Sequence, residues 1–308
     1  MSFNTDGFRD RDYTKVKPPG VFRILVLGNS ATFGVSVSSP QTYVKQVEEL
    51  LNKGDSDKKF EAMNYGVPSW NILYQENYLR KMALQYNPDM VIIGFTLNGA
   101  EGFYHPPDDL FSSAVSYQGN PDVLHRSPKE WAKPLIEHRS QESRSRLDAL
   151  TGDLKIGLSN HCALYRYALW RYDLTKQPFG SQDYPASLYY QEASQHWEPC
   201  KSALGLIQQT LAERKIPGVV MIFPLFFRLK PGPGLNESYP WRDIHRLVGS
   251  ATTNTGMTTI DLLPVFEGWD PRTISVDPYH MNPTGHRMAA EALYSQLKSH
   301  QLIPSTEP

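Results

Sequence analysis

The chain has little cysteine, no long apolar run and no surplus of charge of one sign, and each shortage removes a class of protein. Two cysteines in 308 residues, Cys162 and Cys200, are too few for a disulfide scaffold, and neither has a CxxC partner or a histidine at zinc-ligand spacing. Two states stay open for them: free thiols, or one mutual disulfide in an oxidising compartment. The longest apolar stretch, Val219–Phe227, contains Pro224 and falls far short of the roughly 20 residues of a membrane-spanning helix. With 31 Lys+Arg against 32 Asp+Glu the formal charge is −1, which leaves no basic surplus for nucleic-acid phosphates or anionic lipid. The expected partner is a small or neutral molecule. Walker A, GxGxxG, HExxH and GxSxG patterns are absent, and no His/Asp/Glu cluster has metal-ligand spacing.

The opening residues, MSFNTDGFRDRDYTK, lack both the apolar region and the small-residue cleavage site of a signal peptide. As written the chain is expected in the cytosol, and an extracytoplasmic origin stays open if an upstream segment has been removed. Asn236-Glu237-Ser238 matches a glycosylation sequon, a pattern that matters only in a glycosylating secretory pathway.

What is present is an alternation of short apolar runs with helical patterns. Phe22–Leu27, Phe60–Asn64, Met90–Phe95, Val219–Pro224 and Thr258–Leu262 read as buried strands of a parallel sheet. Gln41–Leu51 places Val44, Val47, Leu50 and Leu51 on one helical face behind Pro40. Asn71–Tyr86, Lys201–Arg214 and Pro283–Ser299 are further helix patterns, so the chain reads as successive βα units. Length alone allows two domains. The units at the two ends instead suggest one domain over residues 1–308, with Gly102 to about Pro199 (residues 102–199) as an insertion read as a helical lid. Within it, Cys162–Leu174 is rich in Tyr and Trp, readable either as ordinary lid core or as a substrate-stacking surface.

Chemistry concentrates at strand ends, where parallel sheets bind ligands. The first strand runs into Leu27-Gly28-Asn29-Ser30-Ala31-Thr32-Phe33-Gly34, and near the C-terminus Asp277 precedes His280 by three residues in a loop before the last helix. A serine hydroxyl becomes a useful nucleophile when an imidazole takes its proton and a carboxylate fixes the imidazole's tautomer. Ser30, His280 and Asp277 supply those three groups, although a capping serine, a turn aspartate and a backbone-satisfied histidine are the plainer readings of each alone. Gly66 in Tyr65-Gly66-Val67-Pro68 and Asn98 in Thr96-Leu97-Asn98-Gly99 offer a backbone N–H and an amide to a developing oxyanion. His245 and His286 lie on helical patterns and read as packing or capping residues.

The four blocks resemble the SGNH, or GDSL, hydrolases, which contribute Ser, Gly, Asn and His in that chain order. Ser30, Gly66, Asn98 and His280 match, with Asp277 in the DxxH element. The resemblance runs from about Val21 to Leu297, apart from the insertion. It implies a flavodoxin-like three-layer α/β/α sandwich with a five-stranded, mainly parallel sheet, and a serine esterase that needs neither cofactor nor metal. It further implies an oxyanion hole from the Ser30 and Gly66 N–H groups and the Asn98 amide. A short acyl ester of a small molecule or glycan is the expected substrate, with an acetylated sugar or polysaccharide and a lipid or aryl ester both open. The first block reads GNS where the family has GDS. In the third, Thr96 and Gly99 stand where the family has Gly and Asp. An acyltransferase with the same triad, or a glycan-binding relative without turnover, stays open. The N-terminal GFRDRDY…KPPGVFRILVLG also resembles bacterial members that carry a membrane or secretion segment upstream and are associated with exported glycans.

Overall fold

The computed structural model describes residues 3–53, 58–97, 190, 196–226, 235 and 239–304. The insertion, apart from Tyr190 and residues 196–199, and both Asn98 and Cys162 lie outside the described residues. The five apolar runs are strands: β1 (Val21–Gly28), β2 (Lys59–Gly66), β3 (Met90–Thr96), β4 (Gly218–Phe223) and β5 (Thr258–Asp261). Their order is β2-β1-β3-β4-β5, and every pairing is parallel. Strands buried on both faces need no alternation, which is why β3 and β4 read as continuous apolar runs.

Helices cover both faces. On one, α2 (Tyr43–Asn52) packs against the last helix, α8 (Pro283–Ser299). On the other, α3 (Ile72–Lys81) packs on α4 (Trp197–Ala212), followed by α5 (Arg242–Thr255) against β5. The short helices α1 (Ser30–Phe33), α6 (Leu263–Phe266) and α7 (Pro271–Ile274) occupy loops at the sheet edge. The result is the three-layer sandwich expected. Thr42 and Asn71 cap α2 and α3 by accepting from main-chain N–H groups of the first turn, and Asn282 does the same for α8 ahead of Pro283. Helix α4 begins at Trp197, earlier than its sequence pattern, because Trp197 and Cys200 are buried against the core. No helix among the described residues is long and apolar enough to cross a membrane.

The polar N-terminal segment packs onto the sandwich. Phe8 is buried and stacks on Tyr65 at 4.0 Å between ring centroids, while Asp10 accepts from the Asn64 N–H at 2.8 Å. Cys200 is a free, buried thiol.

His286 joins α8 to α2, its Nδ1 accepting from the Tyr43 N–H at 3.2 Å. That bond requires a neutral ring, and burial, reinforced by the charges of Arg9 and His280, pulls its pKa from 6.5 down to about 3. Between those two values the unfolded chain takes up a proton that the folded chain refuses, so stability falls as pH drops, by up to about 1.4 kcal/mol per unit. In urea unfolding from pH 7 to pH 4, His286→Asn should therefore show a shallower acid loss than wild type. Parallel pH profiles would contradict this role.

Candidate active site

Three glycines in one register row shape the site. Gly28 on β1 pairs with Gly66 on β2 and with Gly94 on β3, and α1 lies directly against all three. A Cβ at Gly66 would come 2.2 Å from the Phe33 backbone nitrogen, one at Gly28 2.0 Å and one at Gly94 2.3 Å from Thr32 Oγ1. The glycines let the helix approach the strand ends, and Thr32 seals the contact through its 2.9 Å hydrogen bond with Tyr43 Oη. Asn29 fixes the turn from above. Its Oδ1 accepts from the Ala31 N–H at 3.1 Å and its amide donates to Thr96 Oγ1 on β3.

Ser30, the first residue of α1, thereby stands at the carboxyl edge of the sheet. Its Oγ lies 2.8 Å from His280 Nε2, across 250 residues of sequence. His280 Nδ1 lies 2.7 Å from Asp277 Oδ2. The other carboxylate oxygen accepts from the Tyr279 and His280 N–H groups, both at 2.8 Å. An acceptor-only carboxylate with one oxygen committed to the backbone turns the second toward the ring, so Nδ1 carries the proton and Nε2 is left to accept from the serine. The loop is braced on both sides: Phe226 N–H donates to Pro278 O at 2.7 Å, and Ser36 Oγ donates to Met281 O. Gly285 admits the Ile274 carbonyl, which a Cβ would meet at 2.2 Å.

Of the residues expected at the site, Ser30, His280 and Asp277 come together in one hydrogen-bonded chain. Asn98 is outside the described residues. Gly66 differs from expectation, because its N–H donates to Asn64 Oδ1 at 3.0 Å and is not a free donor; its lack of a side chain serves the approach of α1. Ser69 was not singled out in the sequence. Trp70 N–H closes a turn onto Val67 O at 3.1 Å, with Pro68 and Ser69 at its centre and Ser69 at φ +68°, the arrangement of a type II turn in which glycine is usual at that position. The Ser69 N–H stands outside the turn's own hydrogen bond and has no acceptor among the described residues. The Val-Pro-Ser sequence after a strand was the available signal.

His245 is buried and pairs through Nδ1 with Asp261 Oδ1 at 2.7 Å, where Asp261 also accepts from the Leu263 N–H. Among the described residues no group of histidines, cysteines and carboxylates could hold a metal ion.

No protein-family model and no curated protein sequence matches the chain. Solved structures do. The chain is similar to a two-domain esterase active on acetylated mannans, crystallised with mannopentaose, at 14% identity and a TM-score of 0.50 over 94% of this chain and 51% of the other. It thus spans about half the length of that protein. It is also similar to a catalytic mutant of an acetylxylan esterase from Geobacillus stearothermophilus (14% identity, TM-score 0.48, 92% and 96% covered). A lipolytic protein of the G-D-S-L family from Desulfitobacterium hafniense is a further similar structure (10%, 0.45, 89% and 98%). The chain shares its fold with the mannan-active esterase.

Replacing Gly66 by Ala tests the glycine row. The added methyl has backbone in its way, so α1 must move; a loss of about 1–3 kcal/mol in denaturant unfolding is expected, together with slower reaction at Ser30. A variant as stable and as reactive as wild type would show that the close approach is dispensable.

Proposed function

We propose that this protein is a serine esterase that hydrolyses short, acetyl-type acyl esters through an acyl-enzyme. The observation that carries this reading is the continuous hydrogen-bonded chain from Ser30 through His280 to Asp277 at the carboxyl edge of a parallel sheet. In this mechanism His280 Nε2 takes the hydroxyl proton as Ser30 Oγ attacks the acyl carbon, and Asp277 stabilises the imidazolium that forms. His280 returns the proton to the leaving alcohol. Water then repeats the sequence on the acyl-enzyme and frees the acid.

The tetrahedral oxyanion needs donors already in place. We assign the Ser30 N–H and the Asn98 side-chain amide, and move the third donor from Gly66 to the Ser69 N–H. The occupied Gly66 N–H and the exposed Pro68-Ser69 turn, rising from the end of β2 beside β1, support that change. Asn29 fits the role of a turn brace: it keeps the acceptor that holds the Ala31 N–H and adds a donor to Thr96 without placing a charge beside Ser30.

For the substrate class we propose acetylated glycans or small acyl esters. The mannan-active esterase is the similar structure that supports the glycan, and the near-neutral charge agrees with an uncharged substrate. The domain reading belongs here as well: a single hydrolase domain over residues 1–308, with residues 102–199 as an insertion within it.

Hydrolysis of p-nitrophenyl acetate, butyrate and octanoate tests the reading. Activity should decline with chain length and vanish in Ser30→Ala, and Asn98→Ala should lower kcat by roughly 10²–10³. Turnover that survives in Ser30→Ala would refute the nucleophile. Transfer of acetyl to an added sugar acceptor in preference to water would move the assignment to an acyltransferase.

A further inference from the structure

Arg9 is a cation withdrawn from water with no carboxylate partner among the described residues. It is 4% exposed, and burial lowers its pKa from the usual guanidinium value. Such a group must be compensated by hydrogen bonds, and here the acceptors are three main-chain carbonyls from one short stretch. Nη1 donates to Phe33 O at 3.0 Å and to Gly34 O, and Nη2 donates to Val37 O. The guanidinium also lies 5.2 Å from the Phe33 ring centroid.

Those carbonyls belong to the turn that closes α1. The Gly34 N–H donates to Ser30 O at 3.0 Å, with Gly34 at φ +75°, so the residue Arg9 grips is bonded to the backbone of Ser30. A one-turn helix has little stability of its own, and its last carbonyls have no helical donor. The adjacent residue works on the other side: Asp10 accepts from the Asn64 N–H at 2.8 Å, and Asn64 Nδ2 donates to Thr32 O at 2.9 Å. Consecutive residues of the N-terminal segment thus hold the carbonyls of residues 32, 33, 34 and 37, one directly and one through Asn64.

We infer that Arg9 is a positioning residue for the nucleophile, and that the N-terminal segment Phe8–Asp10 works as a clamp holding the Ser30 turn on the glycine row. This inference rests on the esterase reading for its effect on turnover, but the clamp itself is a statement about the backbone of residues 30–37. Planar fork geometry is what allows one side chain to reach three carbonyls, so lysine is a partial substitute and methionine is none.

The test compares full-length wild type, Arg9→Lys and Arg9→Met well below their unfolding temperatures. Amide hydrogen exchange in residues 30–37 should rise about tenfold or more in Arg9→Met while β3 and β4 stay protected. The kcat for p-nitrophenyl acetate, per folded molecule, should fall roughly 10- to 100-fold with little change in KM, as expected when a reacting group is misplaced. Arg9→Lys should lie between, and it carries the same comparison if Arg9→Met does not fold. Unchanged exchange at residues 30–37, or a uniform rise across the fold with kcat intact, would overturn the inference. If Ser30→Ala keeps wild-type turnover, the esterase reading fails and the exchange result alone decides whether Arg9 holds the turn.

Discussion

A row of side-chain-free positions across three neighbouring strands lets a single helical turn rest on the sheet edge, and the geometry of the site follows from that contact. Gly28, Gly66 and Gly94 leave room at distances where a Cβ would overlap Thr32 or the Phe33 backbone. Because α1 is so short, its position is set by what it touches more than by its own hydrogen bonds. The surroundings accordingly hold it from several directions: Asn29 to β3, Asn64 to Thr32, and Arg9 to the carbonyls that follow. A reacting serine displaced by about 1 Å can lose a hundredfold in rate, which gives this bracing its consequence.

The facing loop is built on the same logic with different parts. Asp277 uses one carboxylate oxygen to tie its own turn and the other to aim the His280 ring. Main-chain and hydroxyl bonds from Phe226 and Ser36 then fix that turn against β4 and the α1 loop. The hydrogen bond between Ser30 and His280 joins two braced turns that Ser36 already ties to each other, so the imidazole meets the hydroxyl without either loop having to reorganise. On the proposed esterase reading, holding the reacting groups in place beforehand removes a reorganisation cost from the reaction.

Much of this was legible in the sequence. All five strands, and the helices around Val44, Leu79, Leu204 and Ala290, follow from apolar runs and helical spacing, which report burial directly. Ser30, Asp277 and His280 were readable because each sits in a strand-end or loop motif with its own chemistry. The role of Gly66 was not, since the glycine row exists only once strand register is known, and register does not show in single-strand patterns. Arg9 was hidden for a related reason: a polar, charged N-terminus reads as solvated, while its burial depends on carbonyls 24 to 28 residues away. Helix α5 showed only as a pattern around His245, and α6 and α7 are too short to have a periodicity.

The account is tested most directly by reaction with an acyl-mimicking phosphonate, followed by intact mass and peptide mapping. One equivalent should attach, on the peptide carrying Ser30, with labelling lost in Ser30→Ala and strongly slowed in His280→Ala while both variants stay folded. Label on another residue, or a folded wild type that takes up none, would contradict the claim that these two braced turns form a working nucleophile.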